Sequence, residues 1–474
     1  MKTTKIQEGK DLEKKSSFSG SLGFVLTAAG SAVGVGNIWR FPYLAAKDGG
    51  GLFILLYLVL VLTFGFTLLT TDIAIGRKTG KHVLTVYGSI SERWNFLGKL
   101  TFIVPVIIMT YYTVIGGWVS RYMAAYMVSG TKTVAQDGYF ISFITSKIAP
   151  VVFMLVFLAI TTLIVYAGVE KGIERFSKYV MPTLLVLIIG VAMFSLTLTY
   201  KDSNGVVRTG MQGLKISLLP DLREMTFGKF LRILLDAMSQ IFFSLSVSMG
   251  IMITYGSYVR KDTNLEKSIW QIGFFDTFVA MIASIMVIPA VFVFLGMEGM
   301  SSGPSLMFVS LPKVFEAMGE VGRFIGFAFF LMVTFATLTS CISILETLVG
   351  NFIQVLYVSR ENLCLIIAVV SAVAATVICA GYNILYFEIS LPNGQIGQLL
   401  DVMDYVSNSF LLPLISFLTC IFIGWIVKPD LIHDEMQAEG QTFKSKKLYS
   451  FIIKFIAPPI MAILFFQSTG IFKF

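Results

Sequence analysis

The sequence contains few of the residues that build metal cages, disulfide frameworks and catalytic centres. It has two histidines and four cysteines among 474 residues. The cysteines all fall within apolar stretches and lack Cys-x-x-Cys spacing, which excludes a disulfide framework, a zinc cage and haem attachment. We also find no Ser/His/Asp set, no His-Glu-x-x-His motif and no paired carboxylates, so we do not expect an enzyme.

Charged residues are also scarce, at 14% of the chain, whereas 56% of the residues are apolar. Soluble domains usually carry about 25% charge, so the composition favours an all-α polytopic membrane protein. The net charge of +8 does not indicate nucleic-acid binding, because no basic stripe lies outside short loops beside apolar stretches. We therefore expect a lipid bilayer and no nucleic acid as partners, in a multi-pass protein of the plasma membrane.

Apolar stretches separated by charge clusters predict eleven membrane-spanning helices. The expected ranges are 20–46, 51–76, 97–129, 148–168, 174–199, 229–258, 265–296, 322–357, 361–385, 393–427 and 447–472. No signal peptide is expected, because the chain opens with a polar segment and the first apolar stretch is too long for one.

Lysine and arginine collect in short cytoplasmic loops, and the amino tail and the segment 77–99 each carry five of them. The amino end is therefore predicted to be cytoplasmic, and the odd number of spans places the carboxyl end outside. The predicted regions are a cytoplasmic tail (1–19), a first repeat of spans 1–5 (20–199), a long external loop (200–228), a second repeat of spans 6–10 (229–427), a cytoplasmic loop (428–446), and span 11 with the external carboxyl end (447–474).

Two of the predicted spans are interrupted near their middle. Residues 29–37 read AGSAVGVGN in span 1, and residues 244–250 read SLSVSMG in span 6. Glycine costs a helix interior about 1 kcal/mol relative to alanine, and freed backbone in hydrocarbon costs several kcal/mol per group. Such breaks are expected only where they line a cavity or hold a ligand. Spans 1 and 6 occupy matching places in a 5+5 inverted repeat, which indicates a secondary transporter with its site at the midplane.

These residues resemble a known family. The segment GSAVGVGNIWRFPY with the following GGG resembles the first-span signature of the neurotransmitter:sodium symporter family. Further collinear matches are Tyr111-Tyr112, 240–250, YGSYVRKD at 255–262 and TLTS at 337–340. The eleven spans and the short loop after span 3 are similar to the bacterial branch. The resemblance implies a sodium-coupled symporter that imports a small amino acid by alternating access.

The resemblance also implies two sodium ions and their ligands. The first site is assigned the Ala32 carbonyl, Asn37, Ser244 and Asp276, with the substrate carboxylate, and the second the carbonyls of Gly30, Val33 and Ala336 with the hydroxyls of Thr339 and Ser340. Two alternatives stay open. Both hydroxyls of the second site could instead bond to their own helix, and the glycines of span 1 could serve only close packing.

For the substrate, the resemblance implies a carboxylate near Ala32 and Gly36, where the Tyr112 hydroxyl donates to it. The amino group would meet carbonyls around Phe243, Ser244 and Ser246, and the side-chain pocket would be Ile108, Phe243, Met249, Ser340 and Ile344. Tyr112 could alternatively be a plain interfacial anchor. Monoamine members of the family carry an aspartate where this chain has Gly34, so we expect a substrate with its own carboxylate, an apolar or aromatic L-amino acid.

Two gates follow from the same resemblance. Arg40 and Asp404 match the external pair, above a lid of Phe243 and Tyr112. The inner gate departs from the family pattern: Tyr258 is retained, but Lys15 replaces an arginine, Phe18 a tryptophan and Gln354 an acidic partner. Lysine has no planar fork, so we expect weaker inner closure. The spacing of Gly172 and Pro182 is that of relatives in which span 5 unwinds, although proline alone commonly kinks a helix.

Asp276 lies near the middle of span 7, where a carboxylate is costly and needs a compensating group. Chloride-dependent relatives have asparagine there and serine where this chain has Ala280. Asp276, beside Tyr57, Gln240 and Ser244, is therefore predicted to supply a built-in negative charge and to make transport independent of chloride. The alternative is that this carboxylate is merely solvated by an inner vestibule.

Two other functions remain open from the sequence. An uncoupled, channel-like permease would need a continuous polar lining, whereas the polar residues cluster at the two breaks. A transporter-fold receptor, which binds an amino acid without moving it, is not excluded.

Overall fold

The computed structural model describes residues 17–201, 205–220, 222, 225–300, 305–356, 358–392, 394 and 396–471. Lys15, one of the predicted gate residues, lies outside the described residues. The described part of the chain is dominated by helices, and its few strands form two short hairpins in loops.

The helices follow one another along the chain with short connections. In chain order they are α1 (Ser21–Ala32), α2 (Gly36–Lys47), α3 (Gly51–Thr79), α4 (Val83–Ile90), α5 (Glu92–Val128), α6 (Thr131–Val134), α7 (Tyr139–Ile144), α8 (Ala149–Tyr166), α9 (Val169–Thr197), α10 (Gly210–Leu218), α11 (Phe227–Leu245), α12 (Ile251–Ser257), α13 (Leu265–Leu295), α14 (Leu306–Ser310 continued by Leu311–Ala317), α15 (Glu320–Leu356), α16 (Arg360–Ala380), α17 (Leu399–Ile426), α18 (Asp430–Met436) and α19 (Lys446–Ser468). Single 3-10 turns occur at Met297–Gly299 and Ala438–Gly440.

Both hairpins are antiparallel. Strand β1 (Thr199–Lys201) pairs with β2 (Val207–Thr209), and β3 (Ile389–Ser390) pairs with β4 (Ile396–Gly397). The first hairpin and helix α10 occupy much of the stretch that was predicted to be a long external loop.

Nine helices within the described residues are long and apolar enough to cross a membrane, and the bent pair α1 and α2 makes a tenth candidate. A helix needs about 20 apolar residues to cross a bilayer, and these helices follow the order of the predicted spans. The predicted all-α polytopic fold is confirmed, whereas the count of eleven spans and the internal repeat stay predictions.

Both interruptions predicted from the glycines and serines are present as gaps between helices. Helices α1 and α2 are bent by 56° at a break where Val33 is extended, with φ −72° and ψ 97°. Between α11 and α12, Ser246 and Ser248 have positive φ values of 52° and 60°, and Gly250 one of 83°. Positive φ is costly for a residue with a side chain, so surrounding contacts must hold this second break in place.

Long helices surround the two breaks and set their position. Helix α15 packs along α5 and also touches α1, and α13 contacts α1, α2 and α9. The side on which α1 begins is called the inner side below, and the opposite side the outer side, following the orientation predicted from the loop charges.

Candidate binding site between the broken helices

The two helix breaks contact each other directly. The Ser246 hydroxyl donates to the Ser31 carbonyl at 3.1 Å, and the Ser340 hydroxyl donates to the same carbonyl at 3.1 Å. All three residues are buried. Backbone freed by the breaks is therefore bonded in part across helices α1, α11 and α15, which brings three distant parts of the sequence to one point.

A buried carboxylate that the sequence analysis missed holds the second break. One oxygen of Asp72, on helix α3, accepts the Ser248 backbone N–H at 2.7 Å, and the Ser416 hydroxyl donates to the Ser248 hydroxyl at 2.7 Å. Asp72 is 1% exposed. An ionisable residue inside an apolar span is a functional candidate by default, so the same rule that identified Asp276 could have found Asp72.

A cavity lies beside the breaks and encloses about 410 Å³, counting the part open to solvent. Eight of the ten predicted substrate-binding residues line it, namely Ala32, Ile108, Tyr112, Phe243, Ser246, Met249, Ser340 and Ile344. The lining also includes Ser31, Gly34, Asn37, Tyr111, Ile251 and Asn408. Tyr111, Ile251 and Asn408 were not predicted as part of the pocket, because the resemblance assigned them no role in it.

The remaining two predicted residues, Gly36 and Ser244, lie next to the cavity without lining it. A Cβ at Gly36 would come within 2.3 Å of the Phe243 ring, so only glycine allows the ring to approach this closely. At Gly34, a Cβ would lie 3.1 Å from the Ser340 hydroxyl and 3.2 Å from the Tyr112 hydroxyl. The close-packing role left open for these glycines therefore exists in the structure, alongside their position at the cavity.

A polar cluster lies directly behind the break in α1 and α2. The Asn37 amide donates to Asp276 Oδ1 at 2.8 Å and to the Ser244 hydroxyl at 3.1 Å. Ser244 donates to Asp276 Oδ1 at 2.7 Å, and the Tyr57 hydroxyl donates to Oδ2 at 3.1 Å. Asp276 is fully buried. The carboxylate is thus held by three donors, and the alternative of a carboxylate solvated by an inner vestibule does not describe this structure.

Gln240 and Ala280 complete the surroundings predicted for Asp276. The Gln240 amide donates to the Gly36 carbonyl at 3.3 Å, while its Oε1 has no hydrogen-bond partner among the described residues. Ala280 is fully buried on the same helix as Asp276, one turn further along.

The residues predicted for a second sodium site lie close together, but their hydroxyls are engaged. Thr339 Oγ1 donates to the Ala336 carbonyl at 3.0 Å, and Ser340 Oγ, whose one hydrogen is shared with the Ser31 carbonyl, lies 3.2 Å from the same Ala336 oxygen. A Cβ at Gly30 would lie 3.4 Å from the Thr339 Cβ, which shows how near α1 passes. The helix bonding left open as an alternative is present, and each hydroxyl oxygen keeps lone pairs for a cation.

On the outer side, Arg40 and Asp404 line one vestibule of about 2950 Å³, counting open solvent. Arg40 donates to the Ser239 hydroxyl at 2.8 Å, and its guanidinium lies 5.7 Å from the centre of the Phe243 ring. Asp404 accepts from the Tyr111 hydroxyl at 3.1 Å. The two charged groups form no direct ion pair among the described residues, and both face the same vestibule.

On the inner side, Phe18 is buried among aromatic rings, with centroid distances of 5.8 Å to Tyr255 and 6.2 Å to Tyr258. The Tyr258 hydroxyl donates to Glu346 at 2.6 Å, and both terminal nitrogens of Arg360 donate to the same carboxylate. Glu346 is fully buried. This bidentate ion pair, which was not predicted from the sequence, lies beside two residues of the predicted inner gate.

Gln354, the third departure at the inner gate, has other partners. Its side-chain oxygen accepts the His82 backbone N–H at 2.9 Å. Helix α9 runs without interruption from Val169 to Thr197, with wide turns over Val169–Glu174. The unwinding suggested by the spacing of Gly172 and Pro182 is therefore absent from the described residues of this helix.

Comparisons with known proteins agree with these features. The sequence profile described as the sodium:neurotransmitter symporter family matches residues 15–135 and 142–473. An uncharacterized sodium-dependent transporter, YhdH of Bacillus subtilis (strain 168), is 31% identical over 98% of this chain and 99% of its own length. An uncharacterized sodium-dependent transporter of Haemophilus influenzae is 30% identical over 96% and 98%. The crystal structure of MhsT in complex with L-phenylalanine is similar with a TM-score of 0.82 and 32% identity, covering 96% of this chain and 99% of MhsT.

Proposed function

The chain belongs to the sodium:neurotransmitter symporter family, and from that premise we propose that it imports an apolar or aromatic L-amino acid together with sodium. The observation that carries this proposal is that one pair of helix breaks borders both an oxygen-rich cluster and an apolar cavity. The bound L-phenylalanine of MhsT supports the choice of substrate class, because that protein is similar over nearly the whole chain.

The carboxylate of the substrate is proposed to bind at the break in α1 and α2. Backbone N–H groups at a helix start attract anions, and α2 begins at Gly36. The Tyr112 hydroxyl lies near this point, since a Cβ at Gly34 would be 3.2 Å from it. An aspartate at Gly34 would fill this space, so the glycine favours a substrate that supplies its own carboxylate.

The first sodium ion is proposed to join the substrate carboxylate to the Ala32 carbonyl, Asn37, Ser244 and Asp276. Sodium is a hard cation that prefers oxygen ligands, and a buried carboxylate lowers the cost of removing its water. The second ion is proposed to bind the carbonyls and hydroxyls of Gly30, Val33, Ala336, Thr339 and Ser340, which bridge α1 and α15. Ions that bridge helices bias the conformation, provided that they bind one state more tightly than another.

The negative charge of Asp276 is proposed to replace chloride. The carboxylate is buried beside the cluster that would receive sodium, and Ala280 offers no oxygen or nitrogen to an anion. Transport is therefore expected to continue when gluconate replaces chloride. The double substitution Asp276→Asn with Ala280→Ser is expected to make uptake depend on chloride.

The proposal is tested by uptake of labelled L-phenylalanine into liposomes that contain the purified protein. An inward sodium gradient should drive accumulation, and choline in place of sodium should abolish it. Thr339→Ala with Ser340→Val should weaken the sodium dependence while the fold persists. Equal uptake with and without sodium would indicate an uncoupled permease, and binding without uptake or counterflow would indicate a receptor.

The selectivity for a carboxylate is tested separately. Tyramine and tryptamine lack the carboxylate that would complete the first sodium site, so they should compete poorly with tyrosine and tryptophan. Equal competition by amines and amino acids would contradict the assignment of the carboxylate end of the cavity.

A further inference from the structure

Asn408 is a cavity residue whose side-chain amide is held in one orientation. Its Nδ2 donates to Asp404 Oδ1 at 2.7 Å and to the Tyr111 hydroxyl at 2.9 Å. The amide nitrogen faces Asp404 in this arrangement, which suits an ionised carboxylate because that group only accepts hydrogen bonds. Both amide hydrogens are used, and the position of Oδ1 follows from this arrangement.

The oxygen of this amide is buried and has no hydrogen-bond partner among the described residues. Among the residues that line the cavity, Asn408 is the one whose side chain has a buried polar atom left without a partner in the described chain. An unpaired buried acceptor costs about 1–3 kcal/mol, so a donor that enters the cavity gains a partner that the protein itself does not use.

Asn408 lies away from the end of the cavity that would hold the carboxylate. Tyr111 and Tyr112 are consecutive on α5, so their side chains leave the helix about 100° apart. The Tyr112 hydroxyl lies by Gly34 and Ser340, whereas the Tyr111 hydroxyl lies by Asp404 and Asn408. The cavity therefore has two separate polar regions, one at the Tyr112 hydroxyl and one at the Tyr111 hydroxyl and Asn408.

Apolar side chains account for much of the rest of the cavity, namely Ile108, Phe243, Met249, Ile251 and Ile344. A substrate that is anchored at the helix breaks would place its side chain among these residues. Asn408 comes from α17, which supplies none of the residues proposed for the carboxylate or for either sodium ion. Asn408 lines both this cavity and the outer vestibule, so its oxygen can meet the side chain of a substrate that reaches the vestibule end of the cavity.

We propose that Asn408 determines specificity by accepting a hydrogen bond from a donor at the far end of an aromatic substrate side chain. L-Tyrosine and L-tryptophan carry such a donor, whereas L-phenylalanine does not. A site built around a hydrogen bond discriminates against an analogue that lacks the group, because the buried partner is then left unpaired. This inference rests on the proposed function and narrows its substrate class.

The test is equilibrium binding to the purified protein in sodium chloride, with L-phenylalanine, L-tyrosine and O-methyl-L-tyrosine as probes. Wild-type protein should bind tyrosine about three- to tenfold more tightly than phenylalanine, the range given by one net hydrogen bond. O-Methyl-tyrosine keeps the oxygen but lacks the donor, so it should lose this advantage. Tryptophan and 1-methyl-tryptophan provide the same comparison for an indole N–H.

Two variants assign the effect to Asn408. Asn408→Leu keeps the size of the side chain but removes the acceptor together with the two N–H donors to Asp404 and Tyr111. The readout is therefore the ratio of the two affinities, and tyrosine should lose its advantage over phenylalanine. Ser407→Ala is the matched control, because Ser407 lies 3.4 Å from the Tyr111 hydroxyl but does not line the cavity. This control should keep the wild-type ratio of tyrosine to phenylalanine affinity.

Several results would overturn the inference. Equal affinity of the wild-type protein for tyrosine and phenylalanine would do so. Failure of the wild-type protein to bind either amino acid would also do so. Both results come from the wild-type protein, so they do not depend on whether a variant folds. An equal loss of all affinities in Asn408→Leu would show that the residue acts only by positioning Asp404. Failure of every L-amino acid to bind in sodium would instead contradict the proposed function, so the two failures are distinguishable.

Discussion

On the inner side of the cavity, aromatic rings and charged groups are in direct contact, whereas the corresponding groups on the outer side line an open vestibule. Glu346 is fully buried and bonded to Arg360 and Tyr258. Arg40 and Asp404 instead face a shared space and bond to separate partners. One side therefore holds an ion pair that is costly to break, whereas the charged groups of the other side are not paired with each other.

The difference follows from how charges behave when buried. Removing one member of a buried ion pair leaves the other unpaired in a medium of low dielectric constant, which costs about 3–5 kcal/mol. Charges beside water lose little when they separate. Opening the inner side therefore requires a favourable free energy that offsets the cost of separating the buried ion pair. Binding of sodium and substrate to one conformation can supply this free energy.

The largest expected effect comes from breaking the inner ion pair. Glu346→Gln removes the charge that Arg360 requires, so the free energy of unfolding should fall by about 3–5 kcal/mol and uptake should fall at least tenfold. Thermal unfolding of the purified protein measures the first effect. Asp404→Asn, the outer counterpart, should lower the free energy of unfolding by about 1 kcal/mol, because the lost charge has no direct ion-pair partner and mainly weakens the hydrogen bonds from Tyr111 and Asn408. Equal losses in the two variants would contradict the comparison.

A second prediction concerns the start of helix α1. Glu174 on α9 accepts the Ser19 backbone N–H at 2.8 Å and pairs with Lys178 at 2.6 Å. A Cβ at Gly23 would lie 2.0 Å from a Glu174 oxygen, so Gly23→Ala should displace this carboxylate. Such contacts stabilise the start of a helix by about 1–2 kcal/mol. Amide hydrogen exchange over residues 19–26 should therefore accelerate by about five- to thirtyfold.

The matched control for this prediction is Gly20→Ala. Gly20 has extended backbone with φ 177°, and nothing lies within 4 Å of a Cβ built there. This variant should exchange like the wild type. Unchanged exchange in Gly23→Ala would show that Glu174 does not restrain α1.

The third prediction measures the outer gate by a double-mutant cycle. Arg40→Gln and Asp404→Asn should give a coupling energy below about 0.5 kcal/mol without ligand, because the two groups are not in contact. Sodium and substrate should raise the coupling as the vestibule closes. A large coupling without ligand would show that the outer gate is already closed.

The sequence predicted much of this architecture because its signals are local. Apolar stretches define spans, and glycines and serines inside spans 1 and 6 define the breaks. Eight of the ten predicted pocket residues line the cavity, since the resemblance aligned short motifs around them. The spacing of Gly172 and Pro182 left open whether α9 unwinds, because the packing of neighbouring helices decides this.

The sequence could not predict contacts between distant residues. Glu346 and Arg360 are visible as charges near or within apolar spans, but their pairing with Tyr258 depends on how α12, α15 and α16 pack. Asn408 carries no charge and follows no motif. Its proposed role depends on the orientation of its amide and on the unpaired oxygen, and both features arise from the packing of residues that are distant in the sequence.

A last prediction concerns a dependence of stability on pH at the outer side. Burial, with the nearby Asp236 carboxylate, raises the pKa of Asp48 to about 7, although Lys47 opposes the shift. The folded protein then holds a proton that the unfolded chain releases near pH 4, so stability should fall as pH rises from about 4 to 7 and change little above that. Asp48→Asn should remove this contribution, and Asp236→Asn should shift it to lower pH by removing a neighbouring negative charge. Unfolding temperatures measured from pH 5 to 8 decide the matter: parallel curves for wild type and Asp48→Asn would show that Asp48 does not titrate in this range.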